Sequence, residues 1–192
     1  LRIRVNKSPM SLQIFDKYQK LLFSDYADKG HVSEGTKKVE YKVLRRDEHF
    51  FGLGEKAGKM DRRGESYKMW NSDKPCYSVV EDPLYKSIPF FMSNRGYGMF
   101  MHTSAPVTCD FGATYIGLNK MFMGDENLDL FVFFGEPKDI LDEYTDLVGK
   151  PGMPPLWSFG TWMSRITYFS EKEGYDVCIC GLKTVSYTHL RA

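Results

Sequence analysis

Apolar and polar residues alternate one by one through roughly the first 135 positions of the chain. Leu1, Ile3 and Val5 alternate with Arg2 and Arg4, and Leu12 and Ile14 continue the theme before Leu21–Phe23. Val39, Tyr41 and Val43 alternate with Lys38, Glu40 and Lys42. Further short runs follow at Ile88–Met92, Tyr97–His102, Val107–Phe111 and Leu128–Phe134. A period of two is the signature of a strand, whose side chains point to opposite faces in turn. The breaks carry turn chemistry: Asp28-Lys29-Gly30, Asn94-Arg95-Gly96 and Gly124-Asp125-Glu126-Asn127. Many short strands separated by such turns predict a mostly β protein, an antiparallel sandwich or barrel.

The period then changes to that of a helix. Pro137 suits a first helical position, and Ile140, Leu141, Tyr144, Leu147 and Val148 mark one face. Gly149 is the expected stop, followed by Pro151, Pro154 and Pro155 as a stiff connector and a good domain boundary. Leu156 to Ser164 reads as an apolar strand. Ser170-Glu171-Lys172-Glu173 has the form of a capping box, with Tyr175, Cys178 and Leu182 on one helical face beyond it. Strand, loop and helix in that order make the first βα step of an α/β fold, begun and not finished. The expected organisation is therefore a β-sandwich over 1–136, a helix and proline connector over 137–155, and the start of a second domain over 156–183. Residues 184–192 continue neither pattern and read as a non-native tail, so nothing is built on His189. The chain opens inside an alternating segment, which predicts a front end cut short of the natural one.

Composition narrows the picture modestly. Aromatics make up 15% of residues, and rings in that quantity suit half-buried sheet surfaces first and sugar-binding clefts second. The net charge is +1 with no basic run, which gives no support to nucleic-acid binding. No apolar stretch approaches the ~20 residues of a membrane helix. Cys76, Cys109, Cys178 and Cys180 lack the spacing of a metal site and read as free thiols of a reducing compartment, which predicts a cytoplasmic protein.

Several motifs invite chemistry and decline it. Gly52-Leu53-Gly54-Glu55-Lys56-Ala57-Gly58 is spaced G-x-G-x-x-x-G, not as a dinucleotide fingerprint, and no amphipathic helix follows. Glu55, Asp61, Glu65 and Asp73 read as acids of a solvated loop rather than an acid/base pair. Asp110 and the acids over 139–146 lack the spacing of a metal loop, and His31, His49 and His102 stand isolated. No cofactor or metal is expected, and no self-contained active site is visible.

At the connector the sequence acquires a resemblance. Tyr144-Thr145-Asp146-Leu147-Val148-Gly149-Lys150-Pro151 and Met153-Pro154-Pro155-Leu156-Trp157-Ser158-Phe159-Gly160 resemble the entry to the catalytic barrel of glycoside hydrolase family 31. Upstream, Phe51-Gly52-Leu53-Gly54-Glu55-Lys56 resembles a turn of that family's N-terminal sandwich. Met69-Trp70-Asn71-Ser72-Asp73 is similar to its Trp-Asn-x-Asp loop, and Tyr85–Met92 and Asn94–Gly98 to the segments that follow.

The resemblance implies a galactose-mutarotase-like antiparallel sandwich leading into a (β/α)8 barrel. It implies an exo-acting, retaining α-glycosidase on α-glucosides or α-xylosides, with an aspartate nucleophile and an aspartate acid/base on later barrel strands, beyond residue 183. Trp162-Met163-Ser164-Arg165 leans toward xylosidase-like members. The sandwich would lend a loop to the rim of the active site. Asp73 is then the candidate for contacting a sugar hydroxyl, because a carboxylate accepts charge-assisted hydrogen bonds; Trp70 and Asn71 would shape the loop. Tyr168, just past the first barrel strand, would line the sugar subsite. An ordinary turn aspartate and a packed tyrosine are the plainer readings of Asp73 and Tyr168. The implied partner is an oligosaccharide or α-glycoside; oligomeric state is left open, a homo-oligomer included. Two alternatives remain open beside the glycosidase reading: a stand-alone carbohydrate-binding sandwich, and a sandwich that only orients a barrel.

Overall fold

The computed structural model of the chain describes residues 1–78, 81–160, 167–177 and 179. Twelve strands are present among them: β1 (Arg2–Lys7), β2 (Met10–Phe15), β3 (Leu21–Ser24), β4 (His31–Glu34), β5 (Lys37–Val43), β6 (Phe50–Gly54), β7 (Ser66–Met69), β8 (Ser87–Ser93), β9 (Tyr97–Met101), β10 (Val107–Phe111), β11 (Leu118–Met123) and β12 (Leu130–Phe134). All the strand pairings are antiparallel. They build a three-stranded sheet β1-β2-β3, a five-stranded sheet β4-β5-β11-β10-β7 and a four-stranded sheet β12-β9-β8-β6.

Alternation explains why the two larger sheets adhere. Phe50 and Leu53 of β6, Phe91 of β8 and Met99 and Met101 of β9 turn one way from the four-stranded sheet. Cys109 and Phe111 of β10 and Met121 and Met123 of β11 meet them from the five-stranded sheet. Phe50 stacks on Phe111 with ring centroids 4.4 Å apart, and Phe91 approaches Phe111 edge-on at 5.0 Å. Dispersion and the exclusion of water from these facing surfaces hold the two layers together.

Helix α1 (Pro137–Val148) covers the other face of the four-stranded sheet. Ile140 is fully buried there, and Tyr144 stacks on Phe90 at 4.0 Å. Gly98 makes room for it: a Cβ at that position would lie 2.7 Å from Cγ2 of Ile140. Leu141, Leu147 and Val148, placed by sequence on the same face, are exposed, so the buried stripe is one residue wide per turn. The helix ends at Gly149, whose N–H donates to Thr145 O at 2.9 Å.

Alternation misleads at two strands. Every residue of β1 is exposed, including Ile3 and Val5, and so is Leu1 before it. In β5 Val39 is buried as alternation predicts, but so are the charged positions Glu40 and Lys42 of the other face, each 1% exposed. Strands β4, β6, β7 and β11 were not expected. β4 and β7 are only four residues long and β6 contains two glycines, and neighbouring strands supply the hydrogen bonds that make them extended, whereas β11 does alternate and buries Met121 and Met123.

Residues divide into two compact units, Leu1–Gly149 and Lys150–Ala192. In the second, Leu156–Phe159 form a 3-10 turn, where the sequence predicts the opening of a strand. Pro155 holds an extended conformation before it, and its carbonyl accepts the Ser158 N–H at 2.9 Å and the Ser158 hydroxyl at 2.7 Å, closing the turn. The rest of the expected strand, including Trp162–Arg165, lies outside the described residues, as do Cys178, Cys180, Leu182 and the tail over 184–192. The capping box is formed: the Ser170 hydroxyl accepts the Glu173 N–H at 3.1 Å, and the Glu173 carboxylate accepts the Phe169 N–H at 2.8 Å. Residues 171–177 are helical. Among the described residues no helix is long and apolar enough to cross a membrane.

Candidate functional site

The β7–β8 connection, residues 70–86, leaves the five-stranded sheet and returns to the four-stranded one. A long polar loop holds one shape only if its backbone groups find partners. Here they do. Lys56, just past β6, has a fully buried side chain whose Nζ donates to Lys68 O and Asp82 Oδ1, both at 2.8 Å, and to Ser87 Oγ at 3.2 Å. The other Asp82 oxygen accepts the Lys68 N–H. One ammonium thus closes the loop at its base, holding the end of β7, the start of β8 and the loop's own Asp82.

Within the loop, Asn71 Oδ1 accepts the Ser87 N–H at 3.0 Å, and the Ser72 N–H donates to Leu84 O at 3.3 Å. Lys74 pairs with Glu81 at 2.7 Å. The Lys74 ammonium and the Ser78 N–H hold the Glu81 carboxyl below its usual range.

Trp70 and Asn71 line a depression of about 300 Å³, walled also by Ser87 and Pro89 of β8 and by Thr103 and Ser104 of the β9–β10 turn. Trp70 is 49% exposed, so an indole face is open to solvent. Thr103 is held by Asp125, whose carboxylate accepts its hydroxyl at 2.7 Å. An open indole beside an amide and two hydroxyl side chains can stack on one face of a ring while hydrogen bonding at its rim.

The expected site residues are therefore only partly brought together. Trp70 and Asn71 share the depression; Asp73 is exposed two residues beyond Asn71 on the same loop. Tyr168 is exposed in the second unit, near the cap of the helical residues 171–177. Lys56, Asp82 and Thr103 were missed. Lys56 stands inside a recognised motif, but nothing in the spacing of Lys56 and Asp82 announces that they pair.

Among the described residues, His31, His49 and His102, isolated along the sequence, have acidic partners in space. His49 lies 2.6 Å from Asp61 and His102 2.8 Å from Asp129, both near the surface. Burial tends to raise the Asp61 carboxyl, but the His49 hydrogen bond and the Arg63 and Phe50 N–H groups outweigh it and bring it below its usual value. His31 is different. Its Nε2–H donates to Asp25 at 2.8 Å and its Nδ1–H to Glu40, while Lys42 Nζ reaches Asp25 at 2.6 Å and Glu40 at 3.4 Å.

Hydrogen bonds to Asp25 and Glu40 push the His31 imidazole up to about 9 against the opposing effect of burial. Burial raises the Asp25 carboxyl, but the His31 and Lys42 contacts prevail and hold it low. The ligand atoms of Asp25, His31 and Glu40 lie within 4.8 Å of one another, close enough to hold a metal ion. Two anions and two cations already neutralise one another there, however, and a metal would have to displace the Lys42 ammonium and one of the two imidazole protons. The quartet is a buried salt-bridge network.

Residues 1–110 match the family model described as the glycosyl hydrolase 31 N-terminal galactose mutarotase-like domain. Alpha-glucosidase 2 of Bacillus thermoamyloliquefaciens is 34% identical over 189 residues, covering 90% of this chain and 22% of that protein. An alpha-xylosidase of Emericella nidulans is 32% identical over 176 residues, covering 82% of this chain and 22% of that protein. Among solved structures, the GH31 dextranase of Flavobacterium johnsoniae, complexed with isomaltotriose, superposes with a TM-score of 0.80 at 55% identity. It covers 83% of this chain and 20% of that one. The chain spans about a fifth of the length of these relatives.

Proposed function

Since the chain belongs to glycoside hydrolase family 31, we propose that it is the sandwich portion of a retaining α-glycosidase that releases terminal α-linked sugars from oligosaccharides. The observation that carries the reading to a substrate class is the 55% identity to a dextranase holding isomaltotriose. It favours α-linked glucose units over the xylosides toward which Trp162–Arg165 leans. The role of this chain in the whole enzyme is to supply scaffold and rim. The β7–β8 loop, stapled by Lys56, carries Trp70, Asn71 and Asp73 to the edge of the sugar site.

The chemistry of a retaining glycosidase needs two carboxyl groups flanking the scissile bond, one as nucleophile and one as acid and then base. Asp25 and Glu40 do not qualify, because both are buried and neutralised by His31 and Lys42. In this reading the two catalytic aspartates belong to later strands of a (β/α)8 barrel beginning near residue 156, and Tyr168 belongs to the first of its loops as a candidate for lining the sugar subsite. Among the described residues no hydrogen bond engages the Asp73 carboxylate, which suits it to accept one from a sugar hydroxyl. The 192-residue chain is inactive by itself.

The test is kinetic. A full-length protein carrying this chain is assayed on aryl α-glucoside, aryl α-xyloside and isomaltotriose, with Asp73→Ala beside it. Turnover of the glucosyl substrates is expected, with Asp73→Ala losing about tenfold in kcat/KM, the value of one charge-assisted hydrogen bond. An unchanged KM and kcat in Asp73→Ala would reduce the sandwich to a spacer. Turnover by the 192-residue chain alone would overturn the assignment of the catalytic pair. Saturable oligosaccharide binding by residues 1–150, with no hydrolysis by the full-length protein, would establish a binding module instead.

A further inference from the structure

The β7–β8 loop has a second face. On it Tyr77 and Tyr85 meet edge to face, ring centroids 6.5 Å apart and planes at 88°. They are 48% and 41% exposed. With Glu55, Ala57 and Leu84 they line a depression of about 280 Å³ that shares no residue with the one beside Trp70. Paired aromatic rings open to water offer apolar faces to a ligand, and such patches mark binding surfaces.

Tyr85 is held in place from both directions along the chain. Leu84 before it is buried, and its carbonyl accepts the Ser72 N–H. Lys86 after it accepts the Glu55 N–H through its carbonyl at 3.2 Å, an approach that Gly54 permits, since a Cβ there would lie 2.1 Å from that oxygen. Ser87 is tied to Asn71 and to Lys56. On the Tyr77 side, the Ser78 N–H bonds to Glu81, which Lys74 also holds. A platform already ordered before binding loses little entropy when a ligand arrives. At its edge the Glu55 carboxylate and the Lys86 ammonium, 3.0 Å apart and both well exposed, offer an acceptor and a donor to hydroxyl groups.

From this arrangement we infer that Tyr77, Tyr85 and Glu55 form an accessory subsite for a further glucose unit of an α-glucan chain, separate from the Trp70 depression. Apolar ring faces receive the C–H face of a pyranose, and the charged pair at the rim receives its hydroxyls. The inference rests on the glycosidase reading for the identity of the sugar; the paired rings and the charged rim carry the rest. It predicts a length effect: a substrate too short to reach the platform gains nothing from it.

The experiment compares p-nitrophenyl α-glucoside with isomaltohexaose in a full-length protein carrying this chain. The unsubstituted protein is set beside Tyr77→Ala/Tyr85→Ala, Tyr77→Leu/Tyr85→Leu and Tyr77→Phe/Tyr85→Phe. The leucines fill the volume without a ring face, which keeps the comparison valid if alanine weakens folding. The ratio of kcat/KM for the long substrate to that for the short one is expected to fall about five- to tenfold with alanine or leucine and to survive with phenylalanine. An unchanged ratio in the leucine variant overturns the subsite, and so does an equal loss on both substrates, which would place the rings in folding or at the reacting sugar. Should the unsubstituted protein hydrolyse neither substrate, the proposed function fails by itself. Titration with isomaltohexaose then decides the subsite: saturable binding lost in the leucine variant supports it, and no binding overturns it.

Discussion

Raising the pH should unfasten the buried quartet of Asp25, His31, Glu40 and Lys42, and the size of the effect follows from its geometry. Both carboxylates are at most 1% exposed at their side chains, Lys42 is 1% exposed and His31 14%. Protonated His31 balances the second anion; neutral His31 leaves two carboxylates sharing one ammonium out of contact with water. The imidazole is raised from 6.5 to about 9, chiefly by its hydrogen bonds to Asp25 and Glu40. At about 1.4 kcal/mol for each tenfold change in proton affinity, this links to about 3 kcal/mol of folding free energy. The sign is that of a raised cation. The contribution is fully present below 6.5, where folded and unfolded chains both carry the proton. It shrinks as pH climbs, because only the folded state still pulls the proton on, and it is gone once pH passes about 9. Urea denaturation of the chain across this window, beside His31→Gln, is the assay. The unsubstituted chain should lose about 3 kcal/mol relative to the variant as pH rises, and the variant should start lower by a similar amount. Parallel pH profiles for the two would refute the reasoning, since any other group titrating in the window is common to both.

Two further outcomes follow from buried groups elsewhere. Lys56→Met removes the ammonium that closes the β7–β8 loop and strands Asp82 and the Lys68 carbonyl; it should destabilise the chain by about 2–4 kcal/mol in the same assay, and a loss below 1 kcal/mol would mean that water replaces the staple. Burial pushes the Cys109 thiol up to about 12, whereas Cys76 is exposed, so with Cys178 and Cys180 changed to serine a thiol reagent should modify Cys76 at once and Cys109 only on unfolding.

How much of this was legible beforehand differs between elements and site. The strands around Val107–Phe111 and Tyr97–Met101 were readable because each buries an alternating apolar set in the sandwich core, and the one around Ile88–Met92 because its continuous apolar run is packed on both faces, Phe91 in that core and Phe90 under α1. Strands β4 and β7 were not, because their residues carry little apolar pattern and are extended by the hydrogen bonds of β5 and β10. The Trp70–Asp73 loop was legible through its motif, and its depression contains the expected Trp70 and Asn71. The Lys56–Asp82 staple was not legible, since its partners stand 26 residues apart and only the folded loop brings them together.

By itself, then, the sequence determined what depends on neighbours along the chain: the period of two, the helix from Pro137 to its end at Gly149, the Ser170–Glu173 cap and the family motifs. Tertiary structure decided which face of each strand is inside. In β5 the alternation is plain and Val39 is buried, yet Glu40 and Lys42 of the opposite, charged face are buried too, because Asp25 and His31 arrive from other segments to neutralise them. Period is a local property of the chain, whereas the burial of a charge depends on a counter-charge that only the fold can deliver.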